Sequence, residues 1–250
     1  MTVEQLLNDG WQFCKLPLGS TLEDVSNVVL QAVDLPHDFL IENENDLYET
    51  TDAWYLRALD VPESWCASCV LVRFDGVYMD CDVLLNGHIV CTHHYGYTAF
   101  DVDLTGRLLV GRNTLAVHIR HQSPNSRWYS GAGIYRPVQL WTARGAHITL
   151  NGVKIRTLSL DPAVVEVRVR TTAPGTVRLT MDDLPAVQQE SDGEAVFTLT
   201  LDNARLWTPE TPNLYTCRVS FADDEVTETF GVRKLSLIHI SEPTRHLRIS

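Results

Sequence analysis

The sequence predicts an all-β protein made of two successive β-sandwiches. Three observations support this: apolar and polar residues alternate in many short runs, Asn-Gly pairs stand between such runs, and no long segment has helical spacing of apolar residues. Alternation indicates strands with one buried face. Asn-Gly favours tight hairpins, because both central positions of a type I′ turn need positive φ. A chain of 250 residues suits one large domain or two of ordinary size.

Residues 1–34 carry the apolar residues Trp11, Phe13 and Leu16, followed by a mixed stretch that extends to Val33. A short helix is expected near Thr2–Leu7, because Thr2 can cap it and Gln5 follows three residues later. Residues 42–53 are polar and acidic and are predicted to form a loop. The β pattern begins at Trp54.

The first β series runs from Trp54 to Trp141. An Asn86-Gly87 hairpin is predicted between two of its strands. The alternating triplets that define its strands are Val70, Val72 and Phe74; Cys81, Val83 and Leu85; Phe100, Val102 and Leu104; and Leu115, Val117 and Ile119.

A second β series follows a boundary expected near residue 143. A second Asn-Gly turn is predicted at Asn151-Gly152. Its predicted strands carry Val165, Val167 and Val169; Val177 and Leu179; Phe197, Leu199 and Leu201; and Tyr215, Cys217, Val219 and Phe221. This series has the size of an immunoglobulin-like sandwich, without the cysteine pair that joins the sheets of antibody domains.

The segment Asn125–Arg136 is the richest candidate for function. It places three aromatic residues and two arginines around a run of small residues. Trp and Tyr faces suit stacking on a sugar ring, and arginine donors suit hydroxyls and carboxylates. The same composition also suits a packed corner of a sandwich, so these residues alone leave both interpretations open.

An ordered series of motifs resembles glycoside hydrolase family 2, the family of β-galactosidases, β-glucuronidases and β-mannosidases. Arg-Trp-Tyr-x-Gly-Ala-Gly-Ile-Tyr-Arg at 127–136 is similar to the end of that family's N-terminal sugar-binding domain. The further matching segments, in family order, are Leu35–Asp38, Trp54-Tyr55, Leu85–Gly87, Gly96–Phe100, Asn113–Val117, Leu206–Pro209, Pro212–Tyr215 and Phe230–Arg233.

The resemblance implies a domain plan. Residues 1–142 are expected to form a jelly-roll, galactose-binding-like sandwich, and residues 143–234 an immunoglobulin-like sandwich. The family's catalytic (β/α)8 barrel is expected to be absent, because the resemblance stops at Lys234. Residues 235–250 resemble a translated sequencing adaptor, so we expect them to be a non-native or disordered tail.

The resemblance also implies a chemistry that lies outside this sequence. Retaining glycosidases use two carboxylates across the scissile bond, and in this family both are glutamates on the barrel. No residue here matches either glutamate, so no catalytic residue is assigned and the chain alone is expected to be inactive. The residues of the motif at 127–136 resemble those of β-galactosidases more than those of β-glucuronidases or β-mannosidases, which favours a β-galactosidase parent.

Three residues are candidates for lining the substrate pocket of the parent enzyme. Arg127 stands where well-known members carry an acidic residue, so it can donate to sugar hydroxyls, pair with a barrel carboxylate or form a salt bridge to the barrel. Trp128 is predicted to pack rather than to stack on a sugar. Asp52 is placed by the resemblance in a second pocket-facing loop.

Composition limits the partners and the compartment. The chain is 44% hydrophobic and its formal net charge is −12, which argues against nucleic acid and anionic membranes as partners. No apolar core of a signal peptide is apparent, so a cytoplasmic protein with free thiols is expected. Cys66 and Cys69 have metal-knuckle spacing but no second pair, so we expect no metal site and no cofactor.

Three functions remain open from the sequence. The first is the non-catalytic N-terminal part of a family 2 glycosidase, whose partners are a β-glycoside or oligosaccharide substrate and its own missing barrel, in an enzyme that can be a homo-oligomer. The second is a stand-alone carbohydrate-binding module. The third is a scaffold that supports a barrel and subunit contacts. The coding sequence beyond codon 234 distinguishes the first two.

Overall fold

The structure is a computed structural model that describes residues 2–42, 44–182 and 184–234. These residues divide into two compact units, 2–144 and the described residues from 145 to 234. Each unit is an all-β sandwich with its own apolar core. The tail expected at 235–250 lies outside the described residues.

The described residues of the first unit form ten strands and two four-residue helices. The strands are β1 (Thr2–Leu6), β2 (Trp11–Leu16), β3 (Gln31–Val33), β4 (Thr51–Val61), β5 (Cys69–Phe74), β6 (Cys81–Leu85), β7 (His88–His93), β8 (Phe100–Asp103), β9 (Gly111–His121) and β10 (Val138–Ala143). The helices are α1 (Leu22–Val25) and α2 (Glu63–Cys66). One sheet has the order β1-β10-β5-β8 and the other β3-β2-β4-β9-β6-β7.

The core of the first unit lies between these two sheets. The alternating triplets of β5, β6 and β9 are all buried, as their period of two predicted. A smaller apolar cluster on the opposite face of the six-stranded sheet contains Cys14, Val25, Trp54, Leu84 and Ala116. The segment that includes α1 covers this outer face, because Val25 packs in the cluster.

The second unit is an immunoglobulin-like sandwich of seven strands. They are β11 (Ile148–Leu160), β12 (Ala163–Thr171), β13 (Gly175–Met181), β14 (Val187–Ser191), β15 (Glu194–Leu201), β16 (Tyr215–Phe221) and β17 (Asp224–Phe230). Its sheets have the orders β11-β12-β15 and β14-β13-β16-β17. Val165, Val167 and Val169 are fully buried in its core, as predicted from their alternation.

Two local predictions were wrong in the first unit. The helix expected near Thr2–Leu7 is strand β1, which pairs along its whole length with β10, from Thr2 opposite Ala143 to Leu6 opposite Gln139. Pairing with a distant strand therefore overrides a local capping pattern. The loop expected at 42–53 is shorter than predicted, because β4 already begins at Thr51.

The two Asn-Gly pairs have different structures. Asn86 and Gly87 have φ of 50° and 84° and connect β6 to β7, which confirms the predicted turn. Asn151 also has positive φ, but Asn151-Gly152 lies inside β11, where the register with β12 shifts between Ile148 and Val153. The second turn prediction was therefore wrong, and the pair forms a bulge-like irregularity within one strand.

All six cysteines are free thiols. Burial raises the pKa of Cys81 to about 12 and that of Cys217 to about 11, so both thiols stay protonated at neutral pH. Cys66 ends α2 and Cys69 begins β5. Across the described ranges, no group of three or more His, Cys, Asp or Glu side chains is arranged to hold a metal ion.

Candidate functional site

Three loops meet at one end of the first sandwich. Residues 41–50 lead into β4, residues 94–99 follow β7, and residues 122–131 follow β9. Strand pairing in the six-stranded sheet brings these loops to the same end. Thr51 pairs with His121, Ile119 pairs with Cys81, and Cys81 pairs with His93. We call this the His121 end.

Exposed aromatic side chains are concentrated at the His121 end. Among the described residues, the large apolar side chains exposed elsewhere in the chain are all aliphatic. The exposed aromatic residues are Tyr48, Tyr95, Tyr97, Trp128 and Tyr129. Large exposed aromatic groups that cluster in one place indicate an interaction surface rather than scattered surface hydrophobicity.

The buried side chain of His121 joins two of the three loops. Its Nδ1 lies 2.6 Å from the Glu49 carbonyl oxygen, so Nδ1 carries the proton and donates it. Its Nε2 is then free to accept from the Asn125 side-chain amide at 3.2 Å. Asn125 in turn accepts a hydrogen bond from the Tyr78 hydroxyl at 3.3 Å. One imidazole therefore fixes the entry of the 122–131 loop.

A second clamp fixes the exit of the same loop. The Asp38 carboxylate accepts from the Ala132 N–H at 2.9 Å and from the Leu40 N–H at 3.1 Å. The Phe39 N–H also donates to the Ala132 carbonyl at 2.9 Å. The segments 35–38 and 127–136, which the sequence showed as two separate motifs, are thus hydrogen-bonded to each other.

Gly133 is needed where these motifs cross. Its φ is 141°, and a Cβ there would overlap the His37 carbonyl oxygen and lie 2.8 Å from the Tyr55 hydroxyl oxygen. His37 Nδ1 lies 2.7 Å from that hydroxyl, and its Nε2 lies 3.1 Å from Glu42. Burial raises the pKa of Tyr55, so the protonated hydroxyl donates to Nδ1 and Nε2–H donates to Glu42.

Between its two clamps, the loop presents Arg127 and Trp128 to solvent. The Arg127 guanidinium carbon lies 6.0 Å from the centroid of the Trp128 ring, and its side chain has no ion-pair partner among the described residues. Trp128 is 71% exposed, so the packing predicted for it is not realised within the described part of the chain. Both side chains remain available to a ligand or to a further part of the protein.

Asp52 has a different environment from the one predicted. It is the second residue of β4 and is fully buried, not part of a loop. Its carboxylate accepts from the Gly19 and Ser20 backbone N–H groups at 2.8 and 3.0 Å. His118 Nε2 lies 3.1 Å away. These contacts hold the 17–20 turn against the outer face of the sheet, and they leave no surface of Asp52 for a substrate.

Sequence reasoning assigned no functional role to four residues of this end: Tyr48, Tyr95, Tyr97 and His121. Of these, only Tyr97 lay within a segment that carried the family resemblance. The Tyr-Gly-Tyr sequence at 95–97 was a usable signal, because two aromatic residues flank a glycine between two strand-like runs. His121 carried no such signal, since its role depends on the Glu49 carbonyl, which is 72 residues away in the sequence.

The comparison with known proteins now identifies the family. The model described as "Glycosyl hydrolases family 2, sugar binding domain" matches residues 4–144, and "Glycosyl hydrolases family 2" matches residues 145–233. This chain belongs to glycosyl hydrolase family 2. The two matched ranges meet where the two compact units divide, between Arg144 and Gly145.

Relatives of this family 2 chain are much longer than it is. It is 32% identical over 243 residues to "Beta-galactosidase BoGH2A" of Bacteroides ovatus, covering 83% of this chain and 29% of that protein. It is 28% identical over 267 residues to a "Putative beta-glucuronidase" of Formosa agariphila, covering 94% of this chain and 25% of the relative. The chain thus spans about a quarter of the length of these relatives.

Solved structures show the same fold. A family 2 member from Bacteroides cellulosilyticus matches with a TM-score of 0.77 and 27% identity, over 93% of this chain and 37% of that one. A Bifidobacterium dentium β-glucuronidase matches with a TM-score of 0.80 and 20% identity, over 94% and 48% of the two chains, and supports the fold alone. The described residues contain the two sandwiches and no (β/α)8 barrel. None of their helices is long and apolar enough to cross a membrane.

Proposed function

We propose that this family 2 chain is the non-catalytic N-terminal part of a retaining glycosidase that hydrolyses β-galactosides in the cytoplasm. The observation that carries the proposal is that both family 2 domains occupy residues 4–233, whereas the relatives continue for several times that length. In the parent enzyme, two carboxylates of a barrel would act as acid/base and nucleophile. The present chain would support that barrel and line part of its substrate pocket.

The pocket contribution proposed for this chain comes from the His121 end. Arg127 is exposed and unpaired among the described residues, and it lies on a loop that is clamped at both ends. A donor on a fixed loop loses little conformational freedom when it binds, so it can contribute to orienting a substrate. Trp128 would contribute an apolar face beside it.

A β-glucuronidase parent is the second candidate. The free guanidinium of Arg127 favours it, because arginine pairs well with a carboxylate such as that of a uronic acid. The two candidates differ in their substrates. The parent protein, recovered by extending the reading frame past codon 234, should hydrolyse an aryl β-galactoside faster than the aryl β-glucuronide, and the reverse order would select the second candidate.

Two experiments test the proposal itself. The purified 250-residue chain should release no nitrophenol from an aryl β-galactoside, and turnover that copurifies with it would refute the absence of a catalytic centre. In the parent, Arg127→Ala should lower kcat/KM while the thermal midpoint stays nearly constant, since an exposed cation adds little stability. Arg107→Ala, which removes an exposed arginine from the other end of the sandwich, is the matched control and should change neither value.

A further inference from the structure

Two tyrosines form an open corner on the turn between β7 and β8. Tyr95 and Tyr97 are 59% and 55% exposed. Their ring centroids are 5.8 Å apart and the rings are inclined by 66°. The two rings therefore do not make a flat platform. One ring can contact the face of a small cyclic ligand while the other contacts its edge. We call this pair the tyrosine ridge.

Contacts with Tyr135 and Tyr78 hold the tyrosine ridge in place. The Gly96 carbonyl accepts a hydrogen bond from the Tyr135 hydroxyl at 2.6 Å. A Cβ at Gly96 would overlap the buried ring of Tyr78, so this backbone packs directly on an aromatic face. Tyr97 meets the same ring edge-on, with centroids 5.4 Å apart. The ridge needs little rearrangement to bind a ligand, which favours affinity.

A separate hydrogen bond fixes the start of the turn. His93 Nε2 lies 2.7 Å from the Tyr95 carbonyl oxygen and donates to it. The backbone on both sides of Gly96 is therefore held. The side chains of Tyr95 and Tyr97 contact each other and are more than half exposed. The fold thus keeps two aromatic rings in water, although burial would stabilise them.

The chemistry of the ridge suits a neutral polyol. Partial burial and the neighbouring Tyr78, to which its hydroxyl donates a hydrogen bond, raise the pKa of Tyr97, so this hydroxyl stays protonated and can accept from a ligand. The adjoining His94 is already paired, because its Nδ1 lies 3.0 Å from the Asp80 carboxylate. Stacking faces with hydroxyl donors match a pyranose ring, which has apolar C–H faces and a rim of hydroxyls.

We propose that the tyrosine ridge is a binding site for a neutral pyranose unit of a β-glycoside. The site consists of residues other than Arg127 and Trp128. The choice of a sugar as ligand rests on the proposed function, and the ridge adds a second point of contact at the same end of the sandwich. In a longer substrate, the ridge would hold a sugar unit other than the one being cleaved.

Lactose is the probe that tests this site, because it is neutral and ends in a β-galactoside. Titration of the 250-residue chain, followed by amide chemical shifts, should perturb residues 93–98 and Tyr78. The dissociation constant is expected to be about 1 mM, since only two aromatic side chains make the site. Tyr97→Ala and Tyr95→Ala should each weaken binding about tenfold. Glucuronic acid should bind more weakly than lactose.

Two further variants test where on the sandwich lactose binds. Leu109→Ala removes an exposed apolar side chain from the other end of the sandwich and should leave lactose binding unchanged. Trp128→Ala separates the two places at this end: a loss of lactose binding larger than that of Tyr97→Ala would move the site to the 122–131 loop and overturn the proposal. If Tyr97→Ala disturbs folding, Tyr95→Ala still tests the site, because the Tyr95 ring contacts Tyr97 and is mostly exposed.

The remaining outcomes separate this proposal from the proposed function. Absence of any lactose-dependent shift at tens of millimolar would overturn the ridge as a sugar site, and burial of Tyr95 and Tyr97 in the parent enzyme would assign the ridge to domain packing. Neither result would affect hydrolysis by the parent. Conversely, lactose binding at the ridge with no hydrolysis by the parent would retain the ridge and refute the proposed function.

Discussion

At one end of the first sandwich the loops are held by His121, and at the other end they are held by Asn113. The buried Asn113 side chain donates to the Leu109 and Gly111 carbonyl oxygens at 2.6 and 3.1 Å. Its own oxygen accepts from Asn86 at 2.8 Å. Both ends therefore use one buried polar side chain with satisfied partners, as buried polar groups require.

The two ends differ in what they expose. The Asn113 end exposes Leu109 and Val110, which are 65% and 63% accessible, and the His121 end exposes five aromatic side chains. Ordered loops are thus common to both ends and are not evidence of function by themselves. The distinguishing property of the His121 end is the type of residue that its ordered loops carry.

The largest effect should come from Gly133→Ala at the His121 end. The new Cβ would overlap the His37 carbonyl oxygen, so the crossing of the two motifs must open, at a cost of about 4 kcal/mol. Gly106→Ala is the matched control at the other end: its φ is 69° but nothing lies within 4 Å, so it should cost only about 1 kcal/mol. Urea unfolding measures both, and equal losses would contradict the crossing as a site of close contact.

Asp38→Ala should have the next largest effect. It removes the acceptor of the Ala132, Leu40 and Ile41 N–H groups, which should cost about 3 kcal/mol and free the 126–131 segment. Trypsin should then cut after Arg127 faster than in the unchanged chain. Asp38→Asn keeps one acceptor oxygen and should recover part of both losses. A cleavage rate that does not change would show that Asp38 leaves the loop unaffected.

Asn113→Ala should destabilise the opposite end by about 2 kcal/mol, because it leaves buried amide partners unsatisfied. This variant tests whether the His121 end is independent of the Asn113 end. Lactose binding and the rate of cleavage after Arg127 should match those of the unchanged chain when both are measured well below the unfolding midpoint. A parallel loss of lactose binding would mean that the two ends are not independent.

A smaller, pH-dependent effect is expected between the two ends, at His118 on the outer face. Burial lowers the pKa of His118. Arg120 also lowers this pKa, whereas Asp52 and Asp82 raise it, and the net shift is downward. The unfolded chain, with a pKa of about 6.5, therefore takes up the proton first as the pH falls. The contribution of His118 to stability is complete above that pH and is lost as the pH falls through the folded pKa.

His118→Gln should remove this part of the pH dependence. Thermal midpoints of the variant and the unchanged chain, compared from pH 7.5 to 5, should converge towards the acid side. His118 also stacks on Trp54 with ring centroids 4.1 Å apart, so the variant should be the less stable one at pH 7.5. A constant difference across the range would show that His118 does not titrate with folding.

Within the candidate site, the sequence anticipated parts rather than their arrangement. The 125–136 segment was recognisable from its own residues, and Arg127 and Trp128 are exposed on it. Asp52 was placed in a pocket-facing loop by resemblance alone, and strand pairing with β2 and β9 buries it instead. The Tyr-Gly-Tyr sequence at 95–97 indicates a turn between strands, but the exposure of both tyrosines depends on the packing of Gly96 on Tyr78.

The sequence by itself determined the all-β class, the two sandwiches and most core positions, because the two-residue period of a strand is a local property of the chain. The sequence also determined the Asn86-Gly87 turn, since its positive φ values depend on those two residues. Only the tertiary structure decided that Thr2–Leu6 is a strand, that Asn151-Gly152 is a bulge and that three distant loops share one end. Each of these depends on a partner far away in sequence, and the free energy of such pairing exceeds local preferences.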